Sequence, residues 1–245
     1  MRTVALMLVS AVAAGWSTYL HWLPCRGTML EGTIIQPRVG DGRRYEEFEK
    51  LDPAVKATLF ACDRRMAGDQ GPWESELNVV ASALLGVAWL ALILRLRWQP
   101  RTKALAALPG LATLALAGVV AIGDAANGED AFLPMIVLWS IELSAATALI
   151  AILAWQPEVH GRHMRRLVVV LWGTTAFGFI HLMAEYTIMT NFSDRNWDSP
   201  PGTGYLTVAV IALSAILAAI MTLRPGRSGV DEPHQDDQSG SLTLA

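Results

Sequence analysis

Three ionisable side chains interrupt otherwise apolar stretches of this chain. Glu142 lies in Trp139-Ser-Ile-Glu142-Leu-Ser144, and His181 and Glu185 lie in Phe179-Ile-His181-Leu-Met-Ala-Glu185-Tyr186. A spacing of four puts His181 and Glu185 on one face of a helix. A carboxylate facing an imidazole can share a proton, and an ionisable group in hydrocarbon is costly enough to point to function. The chemistry on offer is a proton or cation relay, which Asp124 and His21 are expected to extend toward one end. Glu142, His181 and Glu185 would also make a weak three-ligand metal site with an open position, although the His-Glu-x-x-His signature is absent. The bland alternative is a satisfied interhelical hydrogen bond that fixes packing, helped by Ser140, Ser144, Thr174 and Thr175.

The elements that must carry these residues follow from composition. The 245 residues are 53% hydrophobic and only 17% charged, with a mean hydropathy of +0.36, whereas a soluble domain carries roughly 25% charged residues. The apolar residues come in six long blocks, at about 3–23, 77–97, 104–123, 131–155, 167–190 and 205–223. A helix crossing the roughly 30 Å hydrocarbon layer needs about 20 such residues, and a segment in lipid has to satisfy its backbone internally. The expected fold is therefore an all-α integral membrane protein with six transmembrane helices. Residues 77–223 form a five-helix bundle, and 224–245 form a disordered cytoplasmic tail. Arg2 and the small residues Ala11-Val-Ala13 resemble the start of a signal peptide. The apolar character runs on through Leu20 to Leu23, so residues 1–23 are expected to remain as the first helix.

Orientation follows from the basic residues. With the N-terminus inside, the cytoplasmic segments hold Arg2, Arg95, Arg97, Arg101, Lys103, Arg162, Arg165, Arg166, Arg224 and Arg227. The two short opposite loops, 124–130 and 191–204, hold only Arg195, so both termini are expected in the cytoplasm of a bacterial cell. His160 and His163 join the cytoplasmic basic cluster, whose expected contact is with anionic lipid headgroups. At 1.5 Å per residue Glu142 lies roughly 16 Å, His181 roughly 14 Å and Glu185 roughly 8 Å below the outer surface. Consecutive helices joined by a short loop tend to be antiparallel neighbours, so Glu142 and His181 are expected to meet near mid-membrane.

Residues 24–76 are too long for a simple connection and are expected to form a small helical extracytoplasmic cap. Asp52-Pro53 reads as an N-cap followed by proline at the first helical position, and Val55, Leu59, Cys62 and Met66 then form one stripe. A second helix is expected over Tyr45 to Leu51. The chain's two cysteines, Cys25 and Cys62, both fall here, and on the oxidising side of a membrane they are expected to pair as a disulfide.

A net charge of −3 gives no reason to expect nucleic acid. The chain has no P-loop, dinucleotide fingerprint or serine-hydrolase elbow, so nucleotide-driven classes are excluded. One well-buried histidine without a Cys-x-x-Cys-His motif argues against haem. No cofactor is expected beyond a metal ion at Glu142, His181 and Glu185. The partners expected are the lipid bilayer and a larger membrane complex. Three readings remain, in order of preference: a non-enzymatic accessory or partner-binding subunit that uses the cap, a small transporter or channel with a Glu/His relay, and an intramembrane metalloenzyme.

Overall fold

The longest apolar blocks fold as the longest helices. The computed structural model describes residues 2–25, 50–66, 70–71, 73–126, 132–156, 161–191 and 202–223, and among these there is no strand. Helix α1 (Arg2–Trp22) ends in a 3₁₀ turn over Leu23–Cys25. Then follow α2 (Pro53–Met66), α3 (Glu74–Arg95), α4 (Pro100–Ala126), α5 (Phe132–Trp155), α6 (Arg162–Thr174), α7 (Phe179–Asn191) and α8 (Tyr205–Leu223). Four of these, α1, α3, α4 and α5, are long and apolar enough to cross a membrane. Helices α6 and α7 reach that length only together, which makes five.

The fifth apolar block is thus not one continuous helix, as its hydropathy predicts. It bends by 69° between α6 and α7. The hydroxyl of Thr174 donates to the Val170 carbonyl (2.8 Å) and that of Thr175 to the Trp172 carbonyl (3.0 Å), competing with the backbone ladder. The ladder tightens into three-residue steps, with Ala176 N–H on Gly173 O and Gly178 N–H on Thr175 O. The chain then restarts as α7 at Phe179.

Helix α3 packs between α1 and α4, α4 packs on α5, and α8 packs against α1 and α6. Helix α5 meets the fifth block through α7, beyond the bend. Close approach needs small residues: a Cβ on Gly86 would stand 2.7 Å from the Gly110 carbonyl oxygen, and one on Gly110 would stand 2.9 Å from that of Gly86. These two glycines let the α3 and α4 backbones touch. Trp89, fully buried beside them, donates its indole N–H to the Ala106 carbonyl at 2.6 Å. Along α1 the small side chains Ala11, Ala14 and Ser17 face inward while Val12 is 72% exposed. Large apolar residues on the outside and small ones inside are the arrangement suited to lipid rather than water.

Asp52 caps α2 as its sequence predicts, its carboxylate accepting from Ala54 N–H at 2.8 Å. Within the predicted stripe Cys62 is buried and Val55 is exposed. Cys25 and Cys62 lie at disulfide distance, with Cα atoms 4.8 Å apart. The predicted helix over 45–51 falls largely outside the described residues, as do His160, the tail 224–245, most of the two short loops, and the side chains of Asp124 and Met66.

Candidate functional site

The end of the bundle that carries the cysteine pair also gathers polar side chains. Glu74, the first residue of α3, is 2% exposed. One carboxylate oxygen lies 3.0 Å from His21 Nδ1 on α1, and the other lies 3.3 Å from the Arg65 guanidinium on α2. The Glu74 carbonyl accepts from Ser17 at 3.0 Å. Cys25 follows His21 by four residues and Cys62 precedes Arg65 by three, so the cysteine pair ties the end of α1 to α2 and the ion pairs tie both to the start of α3. The turn into α3 is tight: a Cβ on Gly71 would stand 2.6 Å from the Glu74 carboxylate and would overlap Arg65.

Glu185, on α7, is 1% exposed and has no cationic partner among the described residues. Three neutral donors hold it instead. Gly204 N–H (2.6 Å) and Leu206 N–H (2.8 Å) donate to one oxygen, and the Thr207 hydroxyl donates to the other at 2.8 Å. The two N–H groups are orphan donors at the start of α8, so Glu185 caps that helix from a neighbouring one. The cap requires glycine at position 204. Its φ is +103°, and a Cβ there would stand 2.6 Å from the Thr18 hydroxyl. Trp22 fixes the same turn by donating its indole N–H to the Thr203 carbonyl at 2.8 Å.

Between these groups lies a cavity of about 430 Å³. Its polar wall is formed by Ser17, Thr18 and His21 of α1, Glu74, Asn78 and Ser82 of α3, and Glu185 and Thr207. Its apolar floor is formed by Leu116 and Val120 of α4, Leu138 of α5, Phe177 of the bend and Leu182 of α7. The bend is what exposes Ala176 and Phe177 to this space.

Glu142 and His181 sit elsewhere. Glu142 accepts from Ile180 N–H at 3.1 Å, in the first turn of α7, so it too caps a helix from its neighbour. Gly178 makes room for it, because a Cβ there would overlap the Glu142 carboxylate. Trp139 stacks on Phe179 beside it, with ring centroids 4.3 Å apart. His181 Nδ1 is buried next to the Thr175 carbonyl without a well-formed hydrogen bond. Neither Glu142 nor His181 lines the cavity.

The predicted candidates therefore divide. His21 and Glu185 reach the cavity, Glu142 accepts from the start of α7 next to His181 rather than from His181 itself, and the Asp124 side chain is outside the described residues. No group of three His, Cys, Asp or Glu side chains among the described residues is placed to hold a metal ion. Glu74, Asn78 and Thr207 escape sequence reading. An acidic residue opening an apolar helix complements the helix dipole in any protein, so Glu74 carries no distinguishing signal. No protein-family model matches the chain, and no curated protein or solved structure is detectably similar to it.

Proposed function

We propose that this is a multi-pass membrane protein that binds a small amphiphilic ligand in the cavity between α1, α3, α4, α5, α7 and α8. The observation that carries the reading is the division of the cavity wall, with hydrogen-bonding groups at the clamped end and an uninterrupted apolar floor of Leu116, Val120, Leu138 and Phe177. Its volume of about 430 Å³ falls within the range of roughly 300–1,000 Å³ usual for small-molecule sites. The orientation that best accounts for the charges places the cavity outside the cytoplasm. Arg95, Arg101 and Lys103 mark the α3–α4 end remote from it, and Arg165 and Arg166 open α6 where Arg166 donates to the Met221 carbonyl at the far end of α8. In this reading α8 is the sixth span, both termini are cytoplasmic, and an oxidising compartment suits the Cys25–Cys62 pair. Glu142 and His181 stand apart from the cavity, so binding rather than a proton relay is what the site supports.

The test is extraction of small molecules from protein purified in mild detergent, compared with Val120→Trp, which fills the floor. A compound that accompanies the parent protein and is lost from the variant supports the reading. Identical extracts from both proteins, with no shift in melting temperature of the parent from a panel of amphiphiles, overturn it.

A further inference from the structure

The charges around the cavity do not balance, and the imbalance names a ligand class. Two carboxylates line it, Glu74 and Glu185, and among the described residues no Lys or Arg does. Glu74 is answered by Arg65 and His21. Glu185 is answered by no Lys or Arg among the described residues and by no ion pair, only by His181 one turn away on the same helix, although it is almost completely buried. Backbone and hydroxyl donors satisfy its hydrogen bonds, and the start of α8 contributes a partial positive charge of about half a unit. Among the described residues that leaves a net negative potential in a half-open, largely apolar space, where charges are less screened than at a flat surface. Among the described residues its acceptor capacity is also unfilled. One oxygen takes two N–H groups, whereas Oε2 takes only the Thr207 hydroxyl from them, and a carboxylate oxygen has room for a second donor.

We propose that the ligand is a small organic cation, an ammonium carrying an apolar substituent, with its charged head at Glu185 and its substituent on the Leu116–Val120–Leu138 floor. The inference rests on the cavity being a binding site, as proposed above. An ammonium donates to the unfilled oxygen and supplies the missing counter-charge in one contact, and charge-assisted bonds of this kind are the strong ones. An anion of the same size meets two carboxylates and no compensating Lys or Arg among the described residues.

Thiol-modifying reagents of three charges read this directly in the full-length protein with its native cysteine pair oxidised. Asn78→Cys on the polar wall and, separately, Val120→Cys on the floor are treated with aminoethyl, methyl and sulfonatoethyl methanethiosulfonate. Each rate is normalised to that of the same reagent with free 2-mercaptoethanol. The cationic reagent is expected to exceed the anionic one by about tenfold or more, the enrichment typical of a focused surface potential. Adding Glu185→Gln to either variant is expected to remove most of that preference, with a melting curve to establish that the protein is folded. Equal normalised rates for the three reagents in the single variants overturn the cation assignment and leave the binding reading intact. No reaction at either position with any reagent overturns the binding reading itself.

Discussion

Glu142 and Glu185 face the same problem and solve it to different degrees. Each is a carboxylate on one helix that accepts from the first turn of another, Glu142 from α7 and Glu185 from α8. Among the described residues Glu185 gathers three donors and is buried at the cavity wall, whereas Glu142 gathers one and is half-buried beside the bend. A charge taken out of water must be repaid by hydrogen bonds or a counter-ion. The number of donors therefore tells which carboxylate holds the fold and which one merely trims a helix end. It also explains how the bundle keeps acidic residues without pairing each with Lys or Arg.

The largest effect that would break this comparison is expected from Glu185→Ala. It leaves two buried N–H groups and the Thr207 hydroxyl without their acceptor, and unsatisfied buried donors cost about 1–3 kcal/mol each before relaxation. A loss of about 3 kcal/mol or more is expected, measured as a fall in melting temperature in detergent. Glu185→Gln is expected to lose less than half as much, because its amide oxygen can still accept both N–H groups. Equal losses for the two variants would sink the idea that the donors, rather than packing, hold this corner. Next in size is Gly204→Ala. It forces a side chain into a backbone conformation at φ +103° and against the Thr18 hydroxyl. Strain of this kind costs on the order of 1–3 kcal/mol, so a loss of about 2 kcal/mol is expected. A melting temperature unchanged by this substitution would mean that the turn before α8 rearranges freely.

The elements were largely legible in the sequence, because an apolar run of twenty residues leaves few alternatives to a helix. The pairing of Cys25 with Cys62 was legible because no other cysteine competes, and the start of α2 because Asp52-Pro53 is a direct capping signal. The bend at Thr174-Thr175 was not legible. Threonine and glycine occur in straight apolar helices too, and only the tertiary contact with Glu142 shows why Gly178 must be small. The cavity was half legible: His21 and Glu185 stand out as polar residues in apolar surroundings, whereas Glu74 reads as an ordinary helix start. The expected meeting of Glu142 with His181 rested on whole helices packing as neighbours. The bend reshapes that encounter, giving Glu142 the backbone N–H of Ile180 instead.

The smallest effect sharpens the comparison from the other side. Glu142→Ala removes one acceptor from one N–H on a half-buried residue, and a single net hydrogen bond is worth about 1 kcal/mol. A loss of about that size is expected, roughly a third of that for Glu185→Ala. Gly178→Ala probes the same contact from the opposite partner, since its methyl group would meet the Glu142 carboxylate and stand 2.9 Å from the Thr175 carbonyl oxygen. If the carboxylate is what crowds that methyl group, Gly178→Ala should cost less in the Glu142→Ala background than in the parent. Such coupling between neighbours is what a double-mutant cycle measures. Strict additivity of the two substitutions would mean that Glu142 does not hold the start of α7, and the likeness between the two carboxylates would end there.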